Sequence, residues 1–242
     1  MIPYIKTPYG SINTFVIIIA CGIISFFAVL NFEMQKCSER RTEEFFIFPK
    51  IAYSMLIGYL FAVFADALFK YLKNGSFSLQ GMPFYGGFLG GIAAMYFQLT
   101  LKSYDTQYSV AEWFNLLVLP LISFHFWGRI GCFFAGCCYG KPTKSFLGID
   151  FPDNFSAGIF HYGERCLPTQ LFEAVSLLII FLIVRKCSKK FDTYIVLYAF
   201  ARFIIEFFRG DNRGYFLYIF SPAQIISIIL ILFISVKYIK KK

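Results

Sequence analysis

Charged side chains are scarce in this chain. They make up 15% of its 242 residues, where a soluble domain carries about a quarter. With 58% hydrophobic residues and a mean hydropathy of +0.63, that shortage excludes an ordinary soluble domain and points to the membrane class. Charge is missing altogether from residues 12–30 and 215–236, and each run is long enough to cross a bilayer as a helix. The first run lacks a basic segment before it and a small-residue cleavage site, so a removed signal peptide is not expected. Seven cysteines is an odd count. With Cys21 inside the first apolar run and Cys187 in a basic loop, a complete disulfide framework is not indicated. Neither an internal repeat nor a Cys-His-Asn or Ser-His-Asp arrangement can be read.

What is abundant is aromatic and basic. Thirty-three Phe and sixteen Tyr suit lipid-facing and interfacial surfaces. The net charge of +9 does not sit on one soluble basic domain but flanks the apolar segments. It therefore reads as topology determinants and anionic-lipid contacts. Membrane lipids are the expected partners, and nucleic acid is not.

The pattern predicts a single all-α membrane domain over residues 1–242, with seven spans at 12–30, 51–69, 84–101, 112–127, 168–184, 192–208 and 216–236. An outside N-terminus and a cytoplasmic C-terminus put more than half of the 23 Lys and Arg in the inside loops and tail, as the positive-inside rule requires. Residues 128–167 would form a small extracytoplasmic cap of strands and turns, punctuated by Pro142, Gly148, Pro152, Asp153 and Asn154.

Charges inside spans are costly and usually face a cavity or a partner. Arg202, Glu206 and Arg209 fall at i, i+4 and i+7, so they share one helical face. That face is either a structural ion pair or a set of guanidinium groups presented to a phosphate, which Arg binds better than Lys. Arg129 sits in WGRIGC between Gly128 and Gly131, glycines that permit a helix end and positive φ. It is either an interfacial snorkelling residue or an anion binder. His125 lies four residues earlier on the same face, as a candidate base or hydrogen-bond donor.

In GMPFYGGFLGG, Gly87 and Gly91 have the spacing of a small-residue helix-packing motif. The same stretch can also be read as a broken helix start with Tyr85 as its polar tip. Gln170 and Glu173, just after Pro168 and Thr169, are helix caps or headgroup contacts.

Cys132, Cys137 and Cys138 are spaced C-x4-C-C. A zinc site would need a fourth ligand, from His125, His161 or Cys166. A disulfide from Cys132 or Cys137 to Cys166 is an alternative, as is plain packing. A nucleophilic thiol would need its pKa lowered, with Arg129 as the nearby cation. No metal and no cofactor is expected.

Four stretches, YGGFLGG (85–91), GRIGCFFAGCCYG (128–140), LPTQLFEA (167–174) and ARFIIEFFRGD (201–211), occur in the order found in the prolipoprotein diacylglyceryl transferase family. In them, and over most of its length, the chain resembles that family. The resemblance implies a seven-helix enzyme of the bacterial plasma membrane whose active site faces the extracytoplasmic side. It implies transfer of the diacylglyceryl group of phosphatidylglycerol to the thiol of a lipobox cysteine in a prolipoprotein, releasing glycerol 1-phosphate. Arg129 and Arg202 would be its activity-bearing arginines, with Tyr85 and His125 the candidates for handling the thiol proton. Gly86, Gly87, Gly131, Gly140, Gln170, Glu173, Glu206 and Arg209 would line the substrate site.

The family pattern has His where this chain has Tyr85. It has Asn, Asn and Glu where this chain has Cys132, Ala135 and Cys137. Two other readings stay open: a relative that uses another acceptor, and a non-catalytic membrane protein that binds lipid or metal.

Overall fold

Apolar runs that must satisfy their own backbone in hydrocarbon become helices, and each predicted span falls on one. The computed structural model describes residues 4–7, 10–36, 44–75, 84–101, 108–151, 161, 163–210 and 220–239. Its helices are α1 (Thr14–Gln35), α2 (Glu44–Asn74), α3 (Phe84–Thr100), α4 (Val110–Phe134), α5 (Thr169–Val184), α6 (Lys190–Glu206) and α7 (Pro222–Ile239). Among the described residues, four segments are long and apolar enough to cross a membrane: α1, residues Ile47–Ala65 of α2, α4 and α7. The shorter α5 is also apolar. Large apolar side chains stand exposed along these helices, among them Ile24, Leu56, Leu178 and Phe233. In water each would be costly, at about 25 cal/mol per Å²; against lipid the same faces carry no such cost.

The helical class is as expected, but among the described residues there are also two short antiparallel strand pairs. Strand β1 (Tyr4–Thr7) pairs with β2 (Gly10–Asn13). The first helix accordingly begins at Thr14 rather than at 12, because Asn13 Oδ1 accepts the Phe15 N–H at 2.9 Å and caps it. Strands β3 (Ile149–Asp150) and β4 (Arg165–Cys166) pair within the segment read as a cap. Tyr139, Phe151 and Cys166 form a small core there. Gly148 donates to Ser145 O at 3.0 Å and Pro142 bridges to Cys166, both at positions read as turns. Pro152, Asp153 and Asn154 lie outside the described residues.

The chain divides into two compact units, residues 34–113 and residues 1–33 with 114–242. In the first, α2 and α3 cross at glycines. A Cβ on Gly58 would meet Gly87 O at 2.7 Å, and one on Gly90 would meet the Phe61 side chain at 2.7 Å. The glycines that this crossing demands are Gly58 and Gly90, whereas a Cβ on Gly87 or Gly91 would sit 3.4–3.5 Å from its nearest neighbour, an ordinary contact.

In the second unit, Gly131 of α4 meets Phe15 of α1, where an added Cβ would come within 3.0 Å. Asn115 Oδ1 accepts the Phe191 N–H at 2.9 Å, satisfying an open donor in the first turn of α6. Lys190 pairs with Glu33 at 2.6 Å.

Arg129 is not at a helix end. Helix α4 continues to Phe134, and the positive φ falls at Gly136 and Cys138, both at 63°. Gly128 and Gly131 are therefore helical; Gly131 is needed for close packing, whereas a Cβ on Gly128 would meet nothing within 4 Å.

Candidate functional site

Three helices of the second unit bring their polar residues to one place. Helix α4 contributes His125 and Arg129, one turn apart. From α5 come Gln170 and Glu173. On α6, Tyr194, Tyr198, Arg202 and Glu206 recur every four residues, so they form a single polar stripe. His125, Arg129, Gln170, Glu173, Arg202 and Arg209 are all buried.

Glu173 is the hub. Its Oε1 accepts from Arg129 Nη2 at 3.0 Å and from the Tyr198 hydroxyl at 2.6 Å. Neither Gln170 nor Glu173 caps a helix, since the cap residue of α5 is Pro168. Arg129 Nε donates to His125 Nε2 at 3.3 Å, and His125 Nδ1 lies 3.2 Å from the Tyr194 hydroxyl. Because Nε2 is the acceptor, His125 is the neutral tautomer with its proton on Nδ1. The Nε2 lone pair is thus engaged by Arg129, and His125 lies 3.9 Å from the Glu173 carboxylate.

The second pair is Arg202 with Glu206, a buried i, i+4 ion pair with Arg209 Nε 3.9 Å from the same carboxylate oxygen. Arg209 lies just past α6, where the chain doubles back against the segment following α4. Gly140 donates to Leu167 O at 2.7 Å, Lys141 to Phe208 O at 2.8 Å and Gly210 to Tyr139 O at 3.1 Å. A Cβ on Gly140 would meet Leu167 Cβ, Leu167 O and Phe208 O, each at 2.7 Å, so only glycine fits.

Two more polar groups of α5 face the loop after α4. Gln170 Nε2 donates to Cys137 O at 2.6 Å and Thr169 Oγ1 to Cys138 O at 2.8 Å. Gln170 Oε1 and Glu173 Oε2 are buried with no hydrogen-bond donor among the described residues.

Of the residues expected from sequence, this cluster unites Arg129, His125, Gln170, Glu173, Arg202, Glu206 and Arg209, with Gly131 and Gly140 as its close-packing points. Tyr85, Gly86 and Gly87 lie in the first turn of α3, in the other unit. The Tyr85 side chain is outside what the structure describes. Tyr194 and Tyr198 escaped the sequence reading. Their signal is the four-residue spacing that leads into Arg202, masked because tyrosine is common throughout this chain.

The six described cysteines are free thiols, so Cys166 is bonded to neither Cys132 nor Cys137. Burial pushes the Cys166 thiol up, and Glu164 adds to the effect. The Cys137 thiol is also raised, by the neighbouring Cys132 and Cys138 sulfurs and by burial. A nucleophile activated by a lowered pKa is therefore not what this loop provides.

The model of the family described as prolipoprotein diacylglyceryl transferase matches residues 4–239. A phosphatidylglycerol–prolipoprotein diacylglyceryl transferase of Clostridium tetani is 35% identical over 161 residues, covering 63% of this chain and 61% of that protein. Matched proteins of the same printed name include one from Campylobacter hominis, 28% identical over 96% of this chain and 85% of its own length. Another, from Clostridium botulinum, is 30% identical over 94% and 92%. In the Clostridium tetani comparison the chain thus spans about three-fifths of its relative's length. No solved structure matches.

Proposed function

From the premise that the chain belongs to the prolipoprotein diacylglyceryl transferase family, we propose that it transfers the diacylglyceryl group of phosphatidylglycerol to the thiol of a lipobox cysteine in a prolipoprotein. The relatives' printed names supply the two substrates. The observation that carries the reading is the charge of the buried cluster. It holds three guanidinium groups, Arg129, Arg202 and Arg209, and two carboxylates, Glu173 and Glu206, beside a neutral His125. One positive charge is left over among these residues, which suits the single negative charge of a phosphodiester.

In the reaction, the acceptor sulfur attacks the glyceryl carbon that bears the phosphate ester. A C–S bond forms, the C–O bond breaks, and its electron pair leaves with glycerol 1-phosphate. The thiol proton ends on the departing phosphate, with His125 as the side chain of this cluster that can relay it. Arg129 and Arg202 hold the phosphate and stabilise the charge that develops on it. Glu173, Tyr198, His125 and Glu206 keep those guanidinium groups oriented. Gln170 Oε1 and Glu173 Oε2, acceptors without a donor among the described residues, suit the hydroxyls of the glycerol headgroup. Gly131 and Gly140 allow the close backbone approach that shapes the site.

In this reading the enzyme spans the bacterial plasma membrane seven times as one membrane domain. Its N-terminus and active site face outward and residues 128–167 form the extracytoplasmic segment. The skew of Lys and Arg toward the loops on the other side supports that orientation.

The test is to incubate purified protein in lipid–detergent micelles with labelled phosphatidylglycerol and a lipobox peptide. A thioether-linked diacylglyceryl peptide is expected, absent in Arg129→Ala and Arg202→Ala. Release of glycerol phosphate with no labelled peptide would instead assign a different acceptor. No turnover with either would overturn the reading.

A further inference from the structure

We infer that Cys132, Cys137 and Cys138 form a binding site for one soft, thiophilic d10 cation, zinc or cuprous ion. The spacing alone had left these three residues unassigned, but the fold draws them together. Their sulfur atoms all lie within 4.8 Å of one another. Three thiolates held about 2.3 Å from one ion in a plane stand about 4 Å apart. The loop therefore needs to tighten by less than 1 Å or so to close on a metal.

That loop is built to hold the three sulfurs. Cys132 is in the last turn of α4, where the helix has fixed its direction. The chain then reverses: Cys137 N–H bonds back to Cys132 O at 3.2 Å, and Cys137 Sγ lies 3.7 Å from the same oxygen. Gly136 and Cys138 both take φ of 63°. For glycine that conformation is free. For a residue with a side chain it costs on the order of 1 kcal/mol or more, and Cys138 is the one non-glycine residue with positive φ among those described. The strained turn directs the second vicinal cysteine into the same cluster as the first.

Helix α5 fixes the turn from outside. Thr169 and Gln170, both almost wholly buried, donate to the carbonyls of Cys138 and Cys137. Those bonds orient the ligand-bearing peptides, the role that outer-shell groups play at metal sites.

The donor set selects the metal. No carboxylate or imidazole belongs to the cluster among the described residues, and three sulfurs alone favour soft cations over magnesium, calcium or manganese. All three cysteines are partly exposed, so an ion has access. Arg129, one helical turn before Cys132, is a fixed cation beside the site. It offsets part of the negative charge that three thiolates around a mono- or divalent ion leave. Binding is balanced by proton release, M²⁺ + 3 RSH giving [M(SR)₃]⁻ + 3 H⁺, with the two-charge equivalent for Cu⁺.

The site borders the proposed phosphate-binding cluster through Arg129 and Gln170, but the proposal does not rest on that reading, and its test needs no turnover. Purified full-length protein in detergent, fully reduced and anaerobic, is titrated with Zn²⁺ in one arm and Cu⁺ in another. One equivalent per chain is expected, with proton release on binding and a thiolate-to-metal charge-transfer band when Cd²⁺ replaces Zn²⁺. Cys137→Ser and Cys138→Ser should abolish the equivalent, Cys187→Ser should keep it, and Gln170→Leu should weaken it by about 10-fold. On the unmutated protein, where folding is not in question, the ion should slow alkylation of Cys132, Cys137 and Cys138 while leaving Cys21 and Cys187 unchanged. Absence of stoichiometric binding of either ion, or protection spread evenly over all the cysteines, would overturn the proposal.

Discussion

Arg129 of α4 and Glu173 of α5 form a 3.0 Å ion pair whose carboxylate is 1% exposed. Breaking a pair this deeply buried from one side leaves the other charge uncompensated, at a cost of about 3–5 kcal/mol. Glu173→Gln is therefore expected to lower the thermal stability of the detergent-solubilised protein sharply and to abolish transfer. Tyr198→Phe removes one hydrogen bond to the same oxygen and a 3.5 Å contact with His125 Nε2 but no charge, so its cost is about 1–3 kcal/mol. Melting both variants beside the parent checks the order; equal losses would show that Glu173 is not the hub.

Arg202 carries a second prediction, about geometry. Its ion pair with Glu206 is buried on α6, and the proposed phosphate contact adds a demand for a planar, forked donor. Arg202→Lys keeps the charge but loses the fork. Turnover should fall by about 10²–10³ with little change in melting temperature. Near-parental turnover in the lysine variant would mean that charge alone suffices.

Gly140 and Gly128 make a matched pair: the same Gly→Ala change in opposite surroundings. At Gly140 a methyl group would collide with Leu167 and the Phe208 carbonyl, so Gly140→Ala should destabilise by about 1–3 kcal/mol or more. At Gly128, where nothing lies within 4 Å, alanine should be neutral or stabilise by up to about 1 kcal/mol through helix propensity. Thermal unfolding in detergent reads both directly.

Cys166 gives a pH prediction. Its thiol is raised by burial and by Glu164, and only the thiolate reacts. In the folded protein, alkylation of Cys166 should stay slow at pH 8 and accelerate only above the ordinary thiol range. In SDS it should proceed at the rate of a free cysteine. Fast labelling of the folded protein at pH 8 would contradict this.

Much of this arrangement is written in local patterns. The helices follow from uncharged apolar runs, and the Arg202–Glu206–Arg209 face follows from helical spacing. What local pattern cannot supply is which helices meet. Glu173 reads as either a cap or a headgroup contact, and its pairing with Arg129 exists only once α4 and α5 pack. Arg129 reads as a helix end because glycines flank it, but packing against Phe15 accommodates Gly131 within the helix. The cysteines gave no motif because their sulfurs converge through a left-handed residue, Cys138, that no propensity anticipates.

The backbone stitch between Tyr139–Lys141 and Phe208–Gly210 also carries a consequence for biosynthesis. Gly140 leaves the ribosome some seventy residues before the segment that clamps it. Until Gly210 has emerged, the segment after α4 has only part of its anchorage and Arg209 is not yet present. The site is thus completed late in synthesis, so a nascent chain arrested before residue 208 should insert its early helices yet hold no assembled arginine cluster.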